Sequence, residues 1–203
     1  MKKIKDYYFK KAKQEGYPAR SVYKLKEAHE KFKFLKKGAN ILDLGAAPGA
    51  WSKFAAQIIG KKGKVVALDI KGINPPAQNV ITIKADVFKV SPKELLEKLG
   101  NNKKFDVVLS DMAPNTTGRK DVDHLRSIAL AEAALLLCKD TLKYGGSFFC
   151  KVFEGSDLPN FRRICQSQFK TLRVFKPKSS RPESVEIFLY ANFFTPSTND
   201  NNQ

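Results

Sequence analysis

Three aspartates and a lysine sit at the ends of short apolar runs, or inside one. Asp69 closes KVVALD, Asp86 follows VITIK, Asp111 follows FDVVLS, and Lys151 lies within FFCKVF. A carboxylate at a strand end can accept from ribose hydroxyls or from an exocyclic amine. A lysine in such a run can move a proton when neutral, or stabilise developing oxyanion character when charged. Taken singly, each has a plain structural reading: a turn or cap aspartate, or a lysine whose stem snorkels out of an apolar strand. They are grouped by Leu42-Asp43-Leu44-Gly45-Ala46-Ala47-Pro48-Gly49-Ala50-Trp51-Ser52, a small-residue loop between an apolar run and a helical stretch. Gly45 and Gly49 supply positive φ or close backbone approach there. The loop is neither G-x-G-x-x-G nor a Gly-Lys-Ser/Thr phosphate loop, which counts against pyrophosphate. With Asp69 placed 20 residues beyond Gly49 and Asp86 after the next run, the pattern favours a phosphate-free adenosine-type ligand. S-adenosylmethionine fits best, because its sulfonium charge suits a carboxylate-rich pocket.

The elements that must position these groups alternate. Strand-like runs fall at 40–44, 64–69, 80–84, 105–110, 147–152, 171–175 and 185–191, with helical stretches at 4–14, 20–33, 50–59, 92–99, 124–142 and 157–168. Strands alternating with helices predict an α/β fold, a seven-stranded, mostly parallel sheet with helices on both faces. The turn-like KPKSSRPES between the last two runs predicts one antiparallel strand. Residues 1–194 are expected to form a single domain, and Thr195–Gln203 a polar, frayed tail.

Charge points to the partner. The 203 residues carry a net +17, of which +9 lies in residues 1–38 and +7 in 162–181, while 39–161 contributes only +4. Tyr7, Tyr8, Phe9, Tyr17 and Tyr23 interleave with the first basic segment. Two remote segments of one sign with interleaved aromatics point to nucleic-acid phosphate rather than a solvated surface, with the N-terminal helices as RNA contacts. No apolar run approaches the roughly 18–20 residues of a spanning helix, so no membrane role is expected. Cys138, Cys150 and Cys165 make neither a disulfide framework nor a zinc cluster and fit a reducing compartment. With no secretory signal, a cytoplasmic location is expected. His29 and His124 lack ligand-spaced partners; both read as structural or exposed, and no metal site is expected.

Over roughly residues 5–194 the chain resembles the FtsJ/RrmJ family of RNA ribose 2′-O-methyltransferases. The resemblance is carried by Ala19-Arg20-Ser21-Val22-Tyr23-Lys24-Leu25, the DLGAAPGAW loop, SDMAPN, GGSF-x-x-KVF, and Lys178-Ser179-Ser180-Arg181 followed by Ser184-Val185-Glu186. It implies a Rossmann-like class I methyltransferase fold and a catalytic tetrad of Lys24, Asp111, Lys151 and Glu186. It also implies S-adenosylmethionine contacts at Gly49, Trp51, Asp69, Asp86 and Asp111, with Gly45 in the same loop. Ala50 departs from the second glycine that many members carry before the tryptophan. The implied reaction is methylation of a uridine ribose in large-subunit ribosomal RNA, within the subunit or its precursor, by a monomeric enzyme. Alternatives are a tRNA ribose methyltransferase and a non-catalytic RNA-binding assembly factor. Lys151 is expected to serve as base or proton relay, its pKa lowered by Lys24 and raised by Asp111 and Glu186.

Overall fold

A computed structural model describes residues 2–100, 103–181 and 183–195. Its strands are β1 (Asn40–Leu44), β2 (Lys64–Asp69), β3 (Val80–Lys84), β4 (Phe105–Ser110), β5 (Leu142–Phe153), β6 (Phe169–Phe175) and β7 (Glu186–Phe194). Its helices are α1 (Lys2–Gln14), α2 (Val22–Phe32), α3 (Ala50–Ile59), α4 (Pro92–Leu99), α5 (Lys120–Thr141) and α6 (Leu158–Gln168). The strands form one seven-stranded sheet in the order β3-β2-β1-β4-β5-β7-β6. β7 is the antiparallel strand, paired with β5 on one side and β6 on the other. The α/β expectation holds.

The apolar runs of β1, β2 and β4 follow from burial on both faces, which removes the polar alternation of a half-exposed strand. One core packs Leu95, Ile128, Leu135 and Phe161 of α4, α5 and α6 against the sheet. The other packs Leu25, Trp51, Phe54 and Ile59 of α2 and α3, with Ala12 of α1, against the opposite face. β1 pairs with β2 on one side and β4 on the other, so the chain reverses direction across the sheet between them. In open α/β sheets such a reversal leaves a crevice outside the carboxyl ends of the strands.

Two elements start four or five residues away from the sequence pattern, and the other boundaries agree within three. α5 starts at Lys120 rather than 124, because its first turn is charged and suits the helix N-terminus (Asp121, Asp123) without adding to the apolar stripe. β5 starts at Leu142 rather than 147: a bulge opposite Phe105 and Val107 takes in Lys143, Tyr144 and Gly145, the glycine at φ 75°. The expected tail lies largely at 196–203, outside the described residues; Thr195 itself donates its N–H to the Gln168 carbonyl at 2.8 Å.

The two basic segments meet. The Glu27 carboxylate of α2 accepts from the backbone N–H groups of Lys178 (2.6 Å) and Ser179 (3.0 Å), and Arg20 Nη2 donates to the Ser179 carbonyl at 3.1 Å. Phe32 packs edge-on to Phe175, 5.6 Å between centroids. The β6–β7 connection is thus tied to α2 by charged hydrogen bonds. Glu27→Ala is expected to cost about 2 kcal/mol in urea unfolding and to open the 176–184 segment to trypsin. Unchanged stability and cleavage would show the clamp to be idle.

Candidate active site

The glycine loop leaves β1 at the centre of this crevice. Gly45 adopts φ 73°, and a Cβ there would lie 2.9 Å from the Met112 backbone, so the residue after Asp111 fixes this position as glycine. The Gly45 and Ala46 N–H groups both donate to the Leu68 carbonyl, at 2.9 and 3.1 Å, joining the ends of β1 and β2. Gly49, at φ 99°, precedes α3, whose first-turn N–H groups have no side-chain cap and no helical partners.

The strand-end acids gather around that loop. Asp69 accepts from Ala47 N–H at 2.9 Å and Lys71 N–H at 2.8 Å; Asp86 accepts from Phe88 N–H at 3.0 Å. Both therefore hold their turns, and both stay partly exposed. The structural and ligand readings are compatible, since a carboxylate has about four acceptor sites. Trp51 is different: its ring is 2% exposed, stacks on Phe149 at 5.6 Å, and donates Nε1–H to the Ser21 carbonyl at 2.9 Å. Its backbone N–H, in the first turn of α3, is left without a helical partner.

Beneath the loop lies a residue that sequence reasoning missed. Asp43 is fully buried in β1 and accepts from Ser52 Oγ at 2.5 Å through one oxygen, while the other has no hydrogen-bond partner. Burial, followed by the nearby charges of Asp111 and Asp69, pushes its carboxyl up to about 7, against the Ser52 hydrogen bond. The signal was present: an aspartate inside NILDL cannot be a turn residue. Three acids converging here make a site short of positive charge.

A chain of alternating charges begins at Asp111 and crosses to the next strands. Lys151 Nζ, 6% exposed, donates to the Asp111 carbonyl at 2.8 Å and lies 2.9 Å from Asp111 Oδ1 and 3.5 Å from Glu186 Oε1. Glu186 Oε2 in turn accepts from Lys24 Nζ at 2.7 Å. The four residues arrive from the loop just after β4, from β5, from the start of β7 and from α2. Register explains the meeting: Lys151 pairs with Phe188 and Phe153 with Glu186, so Glu186 is the diagonal neighbour of Lys151 on the same sheet face.

Burial alone would lower the Lys151 pKa, but Asp111 and Glu186 outweigh it and hold the ammonium above its ordinary value. For Glu186 burial pushes upward, and Lys24 with Lys151 outweighs it, keeping the carboxylate ionised below its usual range. Lys24 is paired with Glu186 rather than aimed at Lys151, so the like-charge lowering expected from sequence does not prevail. Both charges are present near neutral pH.

A cavity of about 570 Å³ opens beside this chain, lined by Arg20, Lys24, Ser180, Arg181 and Glu186 among others. Arg20 Nη1 and Ser180 Oγ are buried at its wall without partners. Across it, Asp123 accepts from Thr117 N–H (2.7 Å), Thr117 Oγ1 (2.9 Å) and Gly118 N–H (3.2 Å), fixing the loop after β4. His124 is buried, with Nδ1 2.9 Å from the Phe153 carbonyl and Nε2 accepting from Asp157 N–H at 3.0 Å. His29 Nδ1 accepts from Leu35 N–H at 3.3 Å. Both histidines are structural.

A glycine loop at the reversal of a Rossmann-like sheet, ringed by strand-end acids and joined to a buried lysine–carboxylate chain, defines a methyltransferase. The FtsJ-like methyltransferase family model matches residues 17–194, and the chain belongs to that family. It is 46% identical over 194 residues to ribosomal RNA large subunit methyltransferase E of Brachyspira hyodysenteriae, covering 96% of this chain and 98% of that one. The protein of the same name from Oleidesulfovibrio alaskensis is 49% identical over 191 residues, covering 93% and 91%. A solved structure described as a ribosomal RNA methyltransferase from Plasmodium falciparum superimposes with a TM-score of 0.80 at 30% identity, covering 89% of this chain and 100% of that one.

Asp43 makes stability depend on pH. Its folded pKa of about 7 exceeds the ordinary 3.8, so the folded state binds more protons and stability falls as pH rises from about 4 to 7. Asp43→Asn, which keeps an acceptor for Ser52, is expected to match wild type near pH 4–5 and to exceed it at pH 8 by on the order of 2–4 kcal/mol. Urea unfolding at both pH values checks this; parallel pH profiles would contradict it.

Proposed function

We propose that the protein transfers a methyl group from S-adenosylmethionine to the 2′-oxygen of a uridine ribose in large-subunit ribosomal RNA. The observation that carries this reading is the Asp111–Lys151–Glu186–Lys24 chain, which opens onto a cavity where Arg20, Lys120 and Arg181 stand among acidic side chains. The large subunit as substrate rests on the names of the relatives.

The residues fit the cofactor. Asp69 and Asp86 offer acceptors for ribose hydroxyls and an exocyclic amine, and the first turn of α3 after Gly49, Trp51 included, offers N–H groups without helical partners. The charges of Asp69 and Asp111, which are felt even by the buried Asp43, favour a cation. When bound, S-adenosylmethionine supplies an electrophilic methyl group on a positively charged sulfur.

The remaining chemistry belongs to the chain's own residues. The Lys151 ammonium donates a hydrogen to Asp111 O and is ion-paired with Asp111 Oδ1 and Glu186 Oε1, the last contact being the longest at 3.5 Å. A 2′-hydroxyl entering from the cavity takes that weakest place, accepting from Lys151 Nζ and donating to Glu186 Oε1. Lys151 then holds the oxygen in line and stabilises its developing negative character, while the proton passes to Glu186 as the oxygen commits to the methyl carbon. Lys24 keeps Glu186 ionised and aimed. Such orientation is worth roughly 7–11 kcal/mol of barrier. A neutral Lys151 base would first have to lose a proton that both carboxylates hold.

Purified enzyme, methyl-labelled S-adenosylmethionine and large-subunit RNA from cells lacking the protein are expected to give label in 2′-O-methyluridine; label in a methylated base, or none, would overturn the reading. Lys151→Ala is expected to reduce turnover about 10²–10⁴-fold with cofactor affinity kept. With Lys151 charged, no lysine ionisation should limit the wild-type rate between pH 6 and 9; a rising limb near pH 8 that vanishes in Lys151→Ala would restore the base role. Lys178→Glu with Arg181→Glu is expected to weaken RNA binding tenfold or more while sparing S-adenosylmethionine.

A further inference from the structure

The central stretch 39–161 contributes little net charge, but the fold sorts what it carries. Asp43, Asp69, Asp86 and Asp111 lie at or near the carboxyl ends of the parallel strands, whereas Lys62, Lys103, Lys104 and Lys143 gather at the opposite end, before β2, β4 and the body of β5. There they line a cavity of about 560 Å³ with Tyr144 and Asp106.

The one acid in this cavity is already engaged. Asp106 Oδ1 pairs with Lys143, and its Oδ2 accepts from the Asn40 N–H at 2.8 Å. Lys62, Lys103 and Lys104 are exposed, and among the described residues none has an acidic partner. Tyr144 is lifted out of the sheet by the β5 bulge and is 66% exposed. Its ring meets Phe193 edge-on, 5.4 Å between centroids at 78°, and Lys170 Nζ sits 4.0 Å over the Phe193 ring. The bulge thus holds an aromatic platform in the open beside uncompensated cations.

We propose that this pole is a second RNA-binding site, in which Lys62, Lys103 and Lys104 hold phosphates and Tyr144 stacks on an unpaired base. Cations tracking a backbone with an aromatic beside them is the pattern by which single-stranded nucleic acid is bound. A tyrosine and one phenylalanine, without an amphipathic helix to carry them, do not make a membrane anchor. Tyr144 and Lys151 stand seven residues apart on β5, roughly 20 Å along the strand. The second site therefore grips RNA distant from the reacting ribose, and favours a folded RNA or particle as substrate over a short strand. This rests on the RNA reading above.

The test measures affinity for purified large-subunit ribosomal RNA across a salt series. Lys62→Gln/Lys103→Gln/Lys104→Gln is expected to raise Kd about tenfold at physiological salt and to flatten the slope of log K against log salt by about 2, the loss of three single-strand phosphate contacts. Tyr144→Ala is expected to raise Kd at least about fivefold with the slope kept, because stacking carries no counterion term. All four residues are exposed, so melting temperature and S-adenosylmethionine affinity should match wild type. Unchanged Kd and slope in both variants, while Lys178→Glu/Arg181→Glu still weakens RNA, would overturn this site alone. Unchanged binding in all three would overturn the RNA reading and this site with it.

Discussion

A lysine ammonium taken out of water has three hydrogens to place and one charge to balance, and an interior position is tolerable only where acceptors meet both needs. Lys151 is held this way, by the carbonyl and carboxylate of Asp111 and by Glu186. Much of the surrounding architecture follows from that demand. Asp111 must end β4 beside β5. β7 must run antiparallel on the other side of β5, in the register that makes Glu186 diagonal to Lys151. Glu186, now between two cations, needs Lys24, so α2 must pack on the sheet face where its Lys24 reaches the start of β7. Removing one partner leaves an uncompensated buried charge, which is why the four residues act as a unit.

The sheet was legible in the sequence because its central strands are continuous apolar runs bounded by glycine, proline and aspartate. β1 to β4 fall where the pattern puts them. The beginning of β5 was not, since Lys143-Tyr144-Gly145 forms a bulge that obeys neither strand alternation nor helical period. Of the site, Asp69, Asp86 and Asp111 stand out as strand-end acids, and Lys151 as a charge in an apolar run. Lys24 and Glu186 carry no such mark; a helix surface lysine and a glutamate beginning a strand are ordinary residues, found here only through their motifs. Asp43 was overlooked because it sat inside a run that already explained itself as a strand. Trp51 was singled out as a ligand contact, yet its indole is part of the core beneath the loop.

Charge behaves differently in the chain and in the fold. The two basic segments, far apart in sequence, become one surface because Glu27 and Arg20 of the first hold the backbone of the second. The near-neutral centre becomes polar along the strand axis, acids at one end and lysines at the other. An average over a segment hides both facts, since net charge says nothing of which ends of which strands carry it. The consequence is a cation-seeking crevice bordered by basic side chains, an arrangement suited to a positively charged methyl donor and a polyanionic acceptor meeting at one edge.

The central claim is that Asp111 and Glu186 keep Lys151 charged, so that it works as a fixed ammonium. Selective ¹³C labelling of lysine side chains, with Lys151 assigned by comparison with Lys151→Arg, reads this directly from its nuclear magnetic resonance titration. The wild-type signal is expected to stay that of an ammonium through pH 10.5 and to shift its midpoint downward in Glu186→Gln. A midpoint near 7–8 in the wild-type enzyme would contradict the account and return Lys151 to the role of a neutral base.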